Sequence, residues 1–584
     1  MSDMSTSTRT EKSTYTYAGR HGWKRFRVLN PGRGMYHDVR RRLPYYWSDI
    51  ADALTYRTIA STIRMYFVNV LPAIAYTLDM YRRTGEFYGV NESLFSSALA
   101  AMIFSILGAQ PLTIVGITGL ISLFNYTIYD IVVIYEPTIY PNFMCWVAIW
   151  GAIFHWIVAV CNLCDYMRYV TDFSSESFGA YVGIIYCIKG VEELVNEFTV
   201  YGGTAGFLSC LIAILYFLTI YGLEWLGSST ICRPWFRGLL ADYAYVIGTL
   251  FWTGFSHIPG NLKAGGISFV PITRAFFPTQ SRGWLIHFWE LEVKWIFAAL
   301  PFGFLIMLLF YYDHNVSSLT AQARQFPLKK PAGFHWDFFL LGCTTFLAGI
   351  TGIPMPNGLV PQAPVHTDSL TIYETDLHII NTTDDPGEDT EIRRPVIKAT
   401  AVVEQRISHF LMGLAIIGTM TGPLLIVLHT IPAAVFAGVF FIVGWGSIES
   451  NGILRKMIFL LREDRFVSRD EPLLGLRKRK IVLYLGCEVL PVAACVAISQ
   501  TIAAVGFPVL IIAMIPFRVW VLPRWFSDEE LGILDDLTAS NSAVLGSLGG
   551  MPSFAGERRG IDAAERRHSH QRRTVRQRSA SISR

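Results

Sequence analysis

The sequence predicts an all-α polytopic membrane protein of about fourteen transmembrane segments, whose second half reads as an inverted copy of the first. Three observations predict it. Apolar residues make up 52% of the 584 and charged residues only 16%, where soluble domains carry roughly 25% charged residues. Apolar windows of about 20 residues, the length that crosses a bilayer as a helix, recur along nearly the whole chain. Two shorter segments, Ile106 to Gly116 and Leu347 to Gly358, sit in matching places and are interrupted by Gly and Pro. Pro removes a backbone donor and Gly loosens a helix, so each segment is expected to enter the bilayer extended and restart as a half-helix. Paired interruptions of this kind point to a transport site near the midplane, where the two half-helices meet.

The apolar windows fall near 57–78, 93–108, 141–163, 178–191, 205–225, 238–256, 295–317, 334–350, 407–429, 432–447, 481–500 and 502–522; the broken segments 110–133 and 357–373 complete the set. They divide the chain into a cytoplasmic N-terminal segment (1–54), a transmembrane domain (55–522) and a cytoplasmic C-terminal helix with a basic tail (523–584). Within the membrane domain the first repeat covers about 55–256 and the second about 295–522. The breaks at Pro111 and Pro354 stand 243 residues apart. Residues 1–45 are polar and basic with no short apolar core, so the first span is expected to direct its own insertion. With both termini cytoplasmic, Arg40 to Arg42, Arg233, Arg237, Lys329, Lys330 and the run Arg477 to Lys480 all fall inside, as the bias of basic loops requires.

Between the spans, 366–405 is expected to be a long, acidic, flexible loop containing Asp384 to Asp389, and Asn91-Glu-Ser93 is a sequon on the outer side, close to the membrane. Ser527-Asp-Glu-Glu530 before Leu531, Ile533 and Leu534 reads as a capped amphipathic helix. The Arg-rich tail from Glu557 is expected to be disordered and held to anionic lipid.

Basic residues flank spans instead of lining a soluble face, which excludes nucleic acid as a partner. No Walker, H-E-x-x-H, G-x-S-x-G or dinucleotide motif is present, so the chain reads as no enzyme, with no cofactor. Cys161-x-x-Cys164 lacks the second pair that a metal site needs and reads as packing, with no metal expected. His155, His409 and His429 are isolated in apolar runs and also read as packing. Asp242 and Asp337 lie near the starts of spans, where a carboxylate favours the helix dipole.

Two features could carry transport chemistry. Asp313 follows eighteen uncharged residues, and no proline stops its helix until Pro327. Carried on to Arg324 that helix is about 45 Å long at 1.5 Å per residue, which places Asp313 well inside it. A carboxylate there costs at least ~2.5–3.5 kcal/mol and normally faces a cavity; the alternative ends the span at Tyr312 and puts Asp313 at the interface. The half-helix starts are the second feature. Their unpaired N–H groups and partial positive charge suit an anion, so two facing ends could bind a small oxyanion with no Lys or Arg. Gln110 and Gln362 are expected beside these ends, with Thr113 and Asn357 as further candidates and Pro111, Pro354 and Gly358 as the breaks. The alternative is that both glutamines only cap backbone groups freed by the prolines.

Asp38 to Ala53 (DVRRRLPYYWSDIADA), Leu107-Gly-Ala-Gln-Pro-Leu112 and Gly333-Phe-His-Trp-Asp337 resemble the corresponding stretches of the band-three anion exchanger family. Tyr312-Asp-His-Asn-Val316, Ile353 to Thr367 and Glu404-Gln-Arg-Ile-Ser408 are most similar to the borate transporters of plants and fungi within it. The animal exchangers carry an arginine where this chain has Gln362, a departure that fits a borate-type site. The resemblance implies fourteen spans in two inverted seven-helix repeats, core and gate domains, a homodimer through the gate, and elevator-like motion of the core. It also implies that Asp313 matches the family's acidic eighth-helix residue.

The expected function is therefore secondary transport of a small inorganic anion, borate efflux across the plasma membrane, with proton coupling and membrane lipids as further partners. The vacuolar membrane is the alternative location. A bicarbonate carrier is the rival of the same class, a sulfate or nucleobase carrier a weaker one, and a membrane anchor the rival from another class.

Overall fold

A computed structural model describes residues 29–550 apart from Thr230, Asn261, 382–390 and 469–470. The acidic run 384–389 and the basic tail from Glu557 lie outside the described residues. An amphipathic helix, α1 (Arg33–Arg42), precedes the first crossing. The helices that follow are α2 (Tyr56–Arg83), α3 (Val90–Leu107), α4 (Gly119–Val133), α5 (Tyr140–Val160), α6 (Asp172–Asn196), α7 (Gly203–Ser228), α8 (Pro234–Asp242) and α9 (Ala244–Ser256). The second half contributes α10 (Leu300–Ala321), α11 (Phe334–Thr351), α12 (Gln362–Ser369), α13 (Ile407–Thr419), α14 (Gly422–His429), α15 (Ala433–Glu449), α16 (Gly452–Leu461), α17 (Lys478–Ser499) and α18 (Phe507–Trp520). Two short helices close the described chain, α19 (Asp528–Leu534) and α20 (Ser542–Ser547).

Seven of these helices are long and apolar enough to cross a bilayer alone. The pairs α13–α14 and α15–α16 are bent by 86° and 64° at short breaks. The remaining crossings are α6, the broken pair α8–α9, α11, and the extended segments that lead into α4 and α12, which brings the crossings to fourteen. The window near 238–256 breaks at Tyr243, so Asp242 ends a helix instead of starting one. The helices form two groups that pack mainly within themselves: α2–α5 with α10–α14, and α6–α9 with α15–α18.

Inside the first group lie two antiparallel strands, β1 (Val115–Gly116) packing on α3 and β2 (Asn357–Gly358) on α10, paired Val115 to Gly358 and Gly116 to Asn357. Leu359 N–H extends the pairing to the Ile114 carbonyl at 3.0 Å. Polar side chains satisfy the remaining freed backbone. Asp337, in the first turn of α11 as expected, also accepts from the Ala109 and Gln110 N–H groups at 2.5 and 2.9 Å and so serves the first break. Ser96 Oγ donates to the Pro354 carbonyl at 2.6 Å. Arg406 donates to the Ser105 and Gly108 carbonyls at the end of α3, and Arg282 to the Gly352 carbonyl at the end of α11.

The segment 366–405 differs from the flexible loop expected of it. Its first residues complete α12, and the rest forms a hairpin of β3 (Thr371–Asn381) and β4 (Glu391–Val402). The capped helix is present as α19, with Ser527 and Glu530 bonding reciprocally. Asn91 is buried and its amide donates to Thr273 Oγ1 and to the Arg274 and Phe277 carbonyls, which leaves the sequon no room for a glycan. His155 stacks on Phe338 at 4.6 Å, and the described residues contain no group of three metal-ligating side chains.

One ion network fixes the rim beneath the first break. Buried Asp49 pairs with Arg42 at 2.7 Å, Arg406 at 2.9 Å and Lys330 at 2.9 Å. Removing the fully buried anion at its centre strands Arg42 and Arg406 in low dielectric, a loss of about 3–5 kcal/mol, while Lys330 keeps its half-exposed partner Asp52. Asp49→Ala is therefore expected to lower the thermal unfolding midpoint in detergent well below that of Asp49→Glu.

Candidate functional site

Each half-helix begins eight residues after its proline, α4 at Gly119 after Pro111 and α12 at Gln362 after Pro354. The sequence located the breaks at Pro111 and Pro354 and expected an extended stretch before each half-helix, without fixing where the helix restarts. Proline marks where the preceding helix stops; the chain then runs extended through β1 or β2 before coiling again. Thr118 caps α4, its hydroxyl accepting from Ile121 N–H at 3.2 Å.

This spacing sorts the expected site residues. Gln362 is the first residue of α12, is buried, and its Oε1 has no hydrogen-bond partner. Asp313 lies deep in α10, 2% exposed, and accepts from Asn357 Nδ2 at 2.7 Å. Asn357 is held in turn by the Gly358 N–H, which donates to its Oδ1 at 2.8 Å. No Lys or Arg is paired with Asp313 among the described residues. Gly358 sits in β2 where that strand presses on α10; an added Cβ would lie 2.8 Å from His314 Cα and 3.0 Å from Ser317 Cβ.

Gln110 pairs within its own loop, and Thr113 Oγ1 is buried without a hydrogen-bond partner. Gln110 accepts from Leu112 N–H at 3.3 Å and so folds back on its own loop. That loop packs on the last turn of α12, where His366 Nδ1 contacts the Leu112 carbonyl at 2.9 Å. It therefore faces the opposite end of α12 from Gln362. For Gln110 the capping alternative describes the geometry; for Gln362 it does not.

Three tyrosines complete the site, and hydropathy reads all three as core. Tyr76 of α2 lies over the start of α4 so closely that a Cβ at Gly119 would overlap its ring and hydroxyl. Its hydroxyl is buried without a partner. Tyr186 of α6 meets Tyr76 edge-on at 5.1 Å, and its hydroxyl lies beside Gln362. Tyr181, one turn earlier, approaches Asp313 and is anchored by Ser499 Oγ at 2.6 Å. Tyr76 lies within the apolar window near 57–78 and carried no signal of a site.

The site thus gathers, beside two helix N-termini, one carboxylate, one free amide oxygen and one tyrosine hydroxyl without a partner, and among the described residues no Lys or Arg pairs with the carboxylate. Each N-terminus supplies about half an elementary charge, so the two together match one monovalent anion.

The sequence matches the family of the HCO3- transporter integral membrane domain over residues 30–206 and 199–539. The chain belongs to the bicarbonate transporter family. It is 39% identical over 536 residues to Boron transporter 1 of Saccharomyces cerevisiae, covering 89% of this chain and 88% of that one. It is 24% identical to the Band 3 anion transport protein of Rattus norvegicus, covering 86% of this chain and 55% of that one. Its fold is similar to that of SLC26A9, with a TM-score of 0.51 at 12% identity over 83% of this chain and 68% of that one. The chain is an integral, multi-pass membrane protein of a transporter family.

Close approach at β2 makes Gly358 intolerant. Overpacking of this kind costs about 1–3 kcal/mol where neighbours can shift, and here one neighbour is backbone. Gly358→Ala is expected to reduce flux sharply and to lower the unfolding midpoint, while Gly446→Ala, whose added Cβ meets nothing within 4 Å, should change neither.

Proposed function

We propose that this chain exports borate as the tetrahydroxy anion, moving it between membrane faces by an elevator motion of α2–α5 and α10–α14 against α6–α9 and α15–α18. The observation that carries the reading is the free Gln362 Oε1 beside Asp313 between two helix N-termini. Chloride brings no hydrogen-bond donor and would leave that buried acceptor unsatisfied, a loss of about 1–3 kcal/mol. Borate brings four hydroxyls and a single negative charge. It can donate to Gln362, to Asp313 and to the Tyr76 oxygen while its charge is met by the helix ends. The name and the extent of the yeast relative support the same substrate.

A second anion close to Asp313 is repelled by it, by about 4 kcal/mol at 4 Å and an effective dielectric of 20. One proton carried with each anion removes that term, so Asp313 couples borate movement to protons. Boric acid is neutral and leaks inward through lipid, which gives an exporter of the anion its use at the plasma membrane. Both termini lie in the cytoplasm, and the protein works as a homodimer through the second helix group.

Bicarbonate is the second reading, favoured by the band 3 relative. It offers one hydroxyl instead of four and so pairs fewer acceptors.

Boron flux into proteoliposomes distinguishes the two. Asp313→Asn is expected to reduce flux at least tenfold with unchanged protein in the membrane. Gln362→Leu should raise KM for borate more than it lowers kcat, because a ground-state contact is lost. Bicarbonate flux with no boron flux from the same folded protein would overturn the substrate assignment.

A further inference from the structure

The segment 535–550 crosses from one helix group to the other on the face that carries Arg324. It begins tied to the second group. Asp535 accepts from Arg518 Nε at 2.6 Å and from Phe173 N–H at 2.9 Å. Asp172 N–H donates to the Asp536 carbonyl at 2.8 Å, and Thr171 forms a β-bridge with Leu537. Ser175 Oγ meets Thr538 Oγ1 at 2.8 Å. A few residues on, the same segment is bound beneath the first group. Asn541 Nδ2 donates to the Leu328 carbonyl at 3.1 Å, Arg41 to the Gly546 carbonyl at 2.8 Å, and Ser547 Oγ to the Ala332 carbonyl at 2.7 Å. Ala539, Val544 and Leu548 are buried.

Arg324 sits between the two sets of anchors, three residues beyond the end of α10, the helix that holds Asp313. It pairs with Asp172 at 2.6 Å, at the N-terminus of α6, and with Asp536 at 2.7 Å, within the crossing segment. One guanidinium therefore joins the site-bearing helix, the opposite helix group and the chain's own C-terminal segment. The other face has separate ties between the groups, Lys189 to Asp79 at 2.9 Å and Arg82 to Glu193.

We infer that residues 535–550 form a latch that closes the Arg324 face and must let go of the α10–α11 connection each time the site opens toward that face. Opening between the groups there carries Arg324 and Leu328 away from Asp172 and Asp536. The segment cannot follow, because Asp535 and Thr171–Phe173 hold it to the group from which it emerges. The latch is held by hydrogen bonds and by a half-exposed ion pair, both of the strength that can be broken and remade in a working cycle. Its sixteen residues also bury small apolar side chains that a mere trailing tail would leave in water.

The test uses the full chain with Asn541→Cys and Leu328→Cys, oxidised to tie the segment to the α10–α11 connection, and each single substitution as the control for native thiols. Two readouts are taken: boron flux, and the rate at which a thiol at position 317 (Ser317→Cys) reacts with an impermeant maleimide applied from the Arg324 face. The second needs no assumption about the substrate. The tie is expected to abolish both, with recovery on reduction. Arg324→Gln without the tie is expected to raise the labelling rate about two- to fivefold, the range of a partly exposed pair. Labelling of the tied protein at the untied rate, or an unchanged rate in Arg324→Gln, would overturn the latch. Loss of labelling in the tied protein without boron flux in any variant would leave the latch standing and remove the borate reading.

Discussion

Everything in this fold answers to two stretches of backbone that leave the helix at bilayer depth. An unpaired N–H or C=O there costs several kcal/mol, and lipid offers no replacement. The antiparallel pairing of Val115 and Gly116 with Gly358 and Asn357 meets part of that demand, and each stretch meets the rest with a borrowed side chain. The solutions run parallel in the two halves. A guanidinium closes the helix before each break, Arg406 for α3 and Arg282 for α11. A further side chain takes the loop, Asp337 for the first and Ser96 for the second. The surrounding helices are long because they must cover this crossing on every side.

Charge is distributed accordingly. Cations and anions meet at the rims, in the Asp49 cluster and around Arg324 on one face and around Lys189 on the other. The centre contains a carboxylate, dipoles and neutral oxygens. A site made from helix ends binds an anion weakly and can release it, whereas a buried lysine or arginine would hold it at a much deeper minimum. Placing the full charges at the rims gives the two faces something to break and reform while the centre stays constant.

The sequence was informative where the physics is local. Apolar length located the crossings, the Gly and Pro interruptions located both breaks, and an unrelieved apolar run isolated Asp313 inside its helix. It gave no sign of where each half-helix restarts, because hydropathy does not register a two-residue strand inside an apolar stretch. Asn357 was legible as the one polar side chain in the otherwise apolar extended part of the second break, Met355 to Pro361. Tyr76 and Tyr186 were invisible, since an aromatic in a span is core until a neighbour such as Gly119 shows what it leans on. The hairpin after α12 and the segment 535–550 were read as loop and tail. Their order comes from partners hundreds of residues away, and no window along the chain contains them.

The internal repeat explains the scaffold but not the chemistry. The prolines are 243 residues apart and so are the half-helix starts, Gly119 and Gln362. At that same offset Asn357 corresponds to Ile114. The second half thus supplies Asp313, Asn357 and Gln362, and the first supplies the tyrosines and a glycine at the place where a side chain would expel Tyr76. A strictly symmetric crossing would present two equal helix ends and could bind a bare halide as well as an oxyanion. Substituting a missing Cβ on one side for an amide on the other lets a hydroxyl and a carbonyl oxygen approach the same small volume. On the borate reading, this asymmetry laid over a symmetric backbone is what favours a ligand bringing both charge and donors.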